Sequence, residues 1–240
     1  MVDVLLDAPT PYHFALGQKL VNDPAYMYAY RRLAARGHHI IVDNGAAEPA
    51  VERVPFPTIL RAVADCGALE VVMPDVLEDA SATIEMTCDR AVLDLVPVDY
   101  RMIVPQGRNL IEWTACLMEM HRRLKGRYAS IGVPKHLEAK TGGRAEAVDF
   151  IVGAGLHLAY PIHLLGAHKD ILAEARACAL YCPTIRGIDS GVAVAYAQRG
   201  MQFPVRASRV DRKKPSLEWF GTADHQLALA NVVAVINNLA

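Results

Sequence analysis

Acidic and amide side chains hold a recurrent place in this sequence, directly after short runs of Val, Ile and Leu. Asp7 follows residues 2–6, Asp43-Asn44-Gly45 follows residues 39–42, and Asp75 comes just after residues 70–73. Gln106-Gly107 comes after residues 101–104, Gly132 with Lys135 and His136 after residues 128–131, and His163 with His168 at the end of residues 158–164. Asp189-Ser190-Gly191 completes the set after residues 184–188. Carboxylates act as nucleophiles or move protons, and an amide reads the polar edge of a flat substrate. His13, His163, His168 and Asp189 could instead ligate a metal in a hydrolase, although no His-x-His pair follows the first run. A plainer alternative stays open for each acid, because Asp after a strand often caps the next helix.

Segments of helical period separate the apolar runs: residues 24–36, 57–65, 81–95, 110–125, 144–153, 169–179, 192–199 and 224–238. Gly37 and Gly126 stand just past the helices they close. Alternation of this kind predicts βα units and a parallel sheet. With a weaker eighth run at residues 203–207, the pattern matches a single α/β domain over residues 1–240, a (β/α)8 TIM barrel whose eighth strand is degenerate. Such a barrel gathers its site at the C-terminal ends of the strands, where the polar residues above stand. A doubly wound open sheet is the alternative, but no G-x-G-x-x-G or G-x-x-x-x-G-K-[ST] follows any run.

At 240 residues and 52% hydrophobic, the chain can bury a substantial core, and its formal charge of -1 excludes a strongly basic nucleic-acid glue. A local patch remains in Arg206, Arg209, Arg212, Lys213 and Lys214, which could contact phosphates or form a solvated loop. The five scattered cysteines point to a reducing cytoplasm. Only Cys178 and Cys182 are close, and no second pair accompanies them, so no structural zinc is expected. The acid-flanked start, Met1-Val2-Asp3, lacks a basic segment before its short apolar run; neither a secretion signal nor a membrane span is expected.

Several strand ends carry a family resemblance. Ile41-Val42-Asp43-Asn44-Gly45-Ala46-Ala47-Glu48 resembles the Asp-Ser-Gly-Gly-Phe-Gln segment of the queuine tRNA-ribosyltransferase superfamily. Val72-Met73-Pro74-Asp75 is similar to its strand ending in Phe-Asp-Glu-Cys, and Ile103-Val104-Pro105-Gln106-Gly107 to its Val-Gln-Gly-Gly. Ser130-Ile131-Gly132-Val133 resembles Gly-Gly-Leu-Ala-Val-Gly, His163-Leu164-Leu165-Gly166 resembles Tyr-Leu-Met-Gly, and Gly187-Ile188-Asp189-Ser190 sits where the family has Phe-Asp-Cys. The shared order runs over residues 39 to 191. The family's C-x-C-x2-C zinc motif, its Pro-Thr-Arg after the nucleophile and an RNA-binding extension have no counterpart here. The sequence is therefore most similar to the shorter, phage-type 7-deazaguanine DNA transglycosylases.

The resemblance implies a pentosyltransferase without cofactor or metal, which replaces guanine in DNA by a 7-deazaguanine derivative such as preQ0. Asp189 would be the nucleophile of a double displacement through a glycosyl-aspartate, and Asp43 would move protons on the departing and arriving bases. Asp75, Gln106 and Gly132 would read the base edge, with Val133 and Leu165 as apolar walls. The partners implied are DNA, with tRNA as the alternative, and a free 7-deazaguanine-type base, in a cytoplasm that is the host's if the chain is phage-encoded. A homodimer is compatible with this reading. The competing classes are a tRNA-guanine transglycosylase, a metal-dependent barrel hydrolase and a non-catalytic nucleic-acid-binding subunit.

Overall fold

The computed structural model describes residues 2–47, 54–139, 143–167, 171–198, 200–203 and 224–239. Seven parallel strands form a nearly closed α/β barrel: β1 (Tyr12–Leu16), β2 (His39–Asp43), β3 (Glu70–Val72), β4 (Arg101–Ile103), β5 (Ser130–Pro134), β6 (Ile162–Leu165) and β7 (Gly187–Ile188). They lie side by side in chain order, and among the described residues a seam separates β7 from β1. Helices fill the connections: α1 (Val2–Asp7), α2 (Gly17–Asn22), α3 (Pro24–Ala35), α4 (Phe56–Cys66), α5 (Ala80–Thr87), α6 (Arg90–Leu95), α7 (Leu110–Leu124), α8 (Gly143–Gly153), α9 (Ile171–Tyr181), α10 (Val192–Gln198) and α11 (His225–Leu239). Of the expected eighth strand, Phe203 lies outside any strand and packs edge-on against Tyr196, while residues 204–207 lie outside the described residues.

Four expectations are corrected. Residues 2–6 form α1 rather than the first strand, because so short an apolar run fits either period; Val4 packs against Ala197 and Ala228 in the helical layer. The first strand is β1, whose burial alternates along Tyr12–Leu16, so Asp7 is not at a strand end and instead faces His225 at 3.2 Å. The single helix expected over residues 81–95 is two, each started by an aspartate: Asp79 accepts from Ala82 N at 3.0 Å and Asp89 from Ala91 N at 2.7 Å. The run at residues 158–164 also shortens at its start, where Leu156–Leu158 makes a 3-10 turn and Pro161 precedes β6.

Side-chain alternation divides the core in two. Ile40, Val42, Val71 and Met73 face outward onto Leu33 of α3 and Ile59 of α4, and Ile103, Ile131 and Leu164 meet Trp113 and Leu117 of α7. The intervening residues Ile41, Val72, Met102 and Val104 fill the barrel interior, with Phe14 and Leu165 against them. Each such burial contributes about 1.5–3 kcal/mol. On the N-terminal side of this apolar layer lies a buried ionic one. Glu70 accepts from Ser130 Oγ at 2.6 Å, from His39 Nε2 at 2.9 Å and from Arg186 Nη2 at 3.1 Å, with Arg186 Nη1 also bonded. These bonds tie β2, β3, β5 and the start of β7 across the interior.

Candidate active site

The C-terminal ends of β2, β3 and β4 meet through one carboxylate. After β2, Gly45 N donates to Asp43 Oδ1 at 3.2 Å and Ala46 N to Asn44 Oδ1 at 2.7 Å, side-chain turns that fold the loop back over the strand. Asn44 Nδ2 donates to Met73 O at 2.8 Å and to Asp75 Oδ1 at 2.6 Å. Gln106 Nε2 donates to Asp75 Oδ2 at 2.5 Å, while its Oε1 accepts from Glu78 N at 3.2 Å. Asp75 is thus gripped on both oxygens by amides from neighbouring strand ends. Burial pushes its carboxyl up from the ordinary 3.8, the two amides offset part of that, and it titrates at about 6. The residue as a whole is nonetheless only half-buried. Gln106 is 1% exposed, so its first task is to fix Asp75, and contact with a ligand falls chiefly to Asp75.

This has a measurable outcome. If a guanine-like edge binds here as the resemblance implies, ionised Asp75 accepts from its N–H groups and protonated Asp75 loses one acceptor position, so affinity for such a base should fall about tenfold per pH unit below about 6. Gln106→Leu removes a donor to the charged form and should move that midpoint upward, read by titrating base binding against pH. An unmoved midpoint would mean that another group controls binding. The same raised value favours the folded state most below pH 3.8, an advantage lost as pH rises through about 6.

Two residues to which the sequence assigned no role support this corner. Gln18, in the first turn of α2 just after β1, is buried and donates from Nε2 to Asn44 O at 3.4 Å. A Cβ on Gly45 would lie 1.2 Å from that nitrogen, and Gly45 has φ +78°, so only glycine fits. Placing the first strand at residues 2–6 hid Gln18, whereas Asn44 was visible at its strand end but without a role.

On the opposite side, β5, β6 and β7 present Gly132, Leu165 and Asp189. A Cβ on Gly132 would come within 2.7 Å of Leu165 Cδ1 and 2.9 Å of Val104 Cγ2, so the glycine lets Leu165 lie across the mouth. Val133 is a correction: with Gly132 inward, its neighbour points outward, and Val133 is fully buried with Trp113 and Leu117 rather than lining the mouth. Asp189 N donates to Leu164 O at 3.2 Å and Oδ1 accepts from Gly166 N at 2.9 Å, leaving the side chain 23% exposed. Arg144, wholly buried at the start of α8, bonds Val133 O at 3.3 Å and Leu165 O at 3.0 Å and pairs with Glu174, bracing β5 against β6. Lys135 lies along Gly166, where a Cβ would come 2.9 Å from its Cδ, and His136 bonds Gly107 O at 3.1 Å.

The metal reading gains no geometry. His13 is on the helix side of β1, stacked on His38 with ring nitrogens 2.7 Å apart, and burial next to that second imidazole lowers its pKa to about 4. It therefore does not join His163 and Asp189. Among the described residues no three His, Cys, Asp or Glu side chains group as a metal site. His168 and the basic residues Arg206, Arg209, Arg212, Lys213 and Lys214 lie outside the described residues. Among those described, no helix is long and apolar enough to cross a membrane. No protein-family model matches the chain, and no curated protein matches it.

Proposed function

We propose that the chain is a nucleobase transglycosylase that exchanges guanine in DNA for a 7-deazaguanine-type base. The observation that carries the reading is a pair of carboxylates at one barrel mouth: Asp189 is solvent-reachable with one oxygen held, and Asp75 is half-buried and gripped by two amides. The free oxygen of Asp189 attacks C1′, and the C1′–N9 bond breaks as Asp43 supplies a proton to the departing guanine. The incoming base then loses its N9 proton to Asp43 and displaces Asp189, so two inversions retain the configuration. Asp75 accepts from the base edge and Leu165 covers its face. The target nucleotide must leave the stack to reach this mouth.

Incubation with labelled guanine analogues and either DNA or tRNA, followed by nucleoside analysis, tests the reaction and the acceptor together. Label in DNA supports the reading, label in tRNA alone reassigns the acceptor, and label in neither overturns it. We favour DNA because the C-x-C-x2-C zinc motif of the tRNA-modifying family has no counterpart in the sequence, and the stretch carrying Arg206, Arg209, Arg212, Lys213 and Lys214 is a compact phosphate-contact candidate. An Arg212→Ala, Lys213→Ala double variant should flatten the salt dependence of DNA binding by about two phosphate equivalents without altering base choice. An unchanged slope would make this stretch a solvated loop.

A further inference from the structure

Beneath Asp189, the imidazole of His163 is 4% exposed, and neither ring nitrogen has a hydrogen-bond partner. Its place is nonetheless well defined. The ring stacks on Phe14 of β1 with centroids 5.6 Å apart and planes 4° apart, across the barrel interior from its own strand. Beside it stands Gly187, where a Cβ would come within 3.6 Å of the ring. Nε2 is 3.4 Å from Asp189 Oδ1, close enough to attract it but outside hydrogen-bond geometry. A buried imidazole left unpaired is costly, and the terminal torsion of an aspartate is soft, so a small turn of the carboxylate completes the bond.

We propose that His163 is a positioning residue for Asp189, donating from Nε2 to Oδ1 so that it and the Gly166 N–H together hold that oxygen and leave Oδ2 facing the mouth. The catalytic consequence rests on Asp189 being the nucleophile of the proposed exchange, whereas the pairing does not. When Oδ2 bonds to C1′, Oδ1 becomes the carbonyl oxygen of the glycosyl ester and the base leaves with its electron pair. When the incoming base breaks the C1′–Oδ2 bond, the electron pair returns to the carboxylate, and donors on Oδ1 stabilise the charge that reappears. Loss of His163 therefore slows the second displacement and lets the covalent adduct accumulate.

Two measurements test this. In 15N NMR of the imidazole, Nε2 carries the proton in the wild-type protein, and Asp189→Ala redistributes it between the two nitrogens; an identical ring signal in both proteins overturns the pairing. In the base-exchange assay, His163→Phe keeps a ring against Phe14 but lacks the donor, and it lowers kcat by about tenfold or more while kcat/KM for the nucleic acid stays nearly unchanged and the adduct lives longer. His163→Gln, which restores an amide N–H near the Nε2 position, recovers part of the rate. Wild-type kcat in a folded His163→Phe protein, or equal losses in the Phe and Gln variants, overturns the positioning role. If the wild-type protein exchanges no base, the transglycosylase reading falls, and the NMR comparison still decides whether His163 pairs with Asp189.

Discussion

Asp189→Asn should reduce base exchange by more than about 100-fold, because on the proposed mechanism it deletes the nucleophile and with it the covalent route rather than weakening a proton transfer. Asparagine keeps an oxygen that can accept from Gly166 N, and Asp189 is partly exposed, so thermal unfolding should be nearly unchanged. The measurement is label incorporation into DNA, with intact-protein mass showing a glycosyl adduct in the wild type and none in the variant. Turnover close to wild type would remove Asp189 from the nucleophile role. On the same mechanism Asp43 moves protons, a role that contributes about 10²–10⁴-fold and that water can partly replace, so its removal should slow exchange without deleting the covalent adduct.

The largest stability effect is expected far from the mouth. Arg186→Met leaves Glu70 buried with His39 and Ser130 but without its guanidinium, and breaking a buried pair by removing one partner costs about 3–5 kcal/mol. In a chain of this size that lowers Tm by about 10 °C. Burial alone would raise the Glu70 carboxyl, but hydrogen bonds from His39, Arg186 and Ser130 and the Arg186 charge outweigh it and hold the group down at about 2. A depressed carboxyl stabilises the fold above its ordinary 4.5, and that share is lost as pH falls from 4.5 through about 2. Arg186→Met should therefore shift the acid-unfolding midpoint upward. Glu70→Gln combined with Arg186→Met should be less damaging than the sum of the singles, and strict additivity in calorimetry would show that the two do not act as a pair.

The barrel was legible in the sequence wherever a run had a clear period. β2 and α7 are found within a residue of where periodicity puts them, because Ile40, Ile41 and Val42 form an unbroken apolar run and Leu110–Leu124 carries one continuous buried stripe. β1 was not legible: its alternation is broken by His13, a polar residue that is buried only because His38 partners it. Asp43, Asp75, Gln106 and Asp189 could be placed at the mouth because a barrel puts every strand's C-terminal end there. Their partners could not be read. Asn44 and Gln106 each reach Asp75 across 31 positions, and Arg186 reaches Glu70 across 116, whereas a local pattern reports only on neighbours within a turn or two. Val133 shows the limit at one residue: a strand end is visible in the sequence, but the face to which each residue points depends on its register.

Because each strand pairs only with those before and after it in the chain, the sheet can assemble in order of synthesis, every new strand docking on an edge that is already made. The joint between α1 and α11 is different in kind. Asp7 and His225 are 218 positions apart, and Val4 meets Ala228 over a comparable span, so this contact must wait until nearly all of the chain has emerged. Among the described residues β1 is an edge of the sheet, able during folding to recruit a strand from another copy. Hydrogen exchange in the folded protein should accordingly be fastest in α1 and α11 and slowest in β3 to β5, with opening spreading inward from the seam.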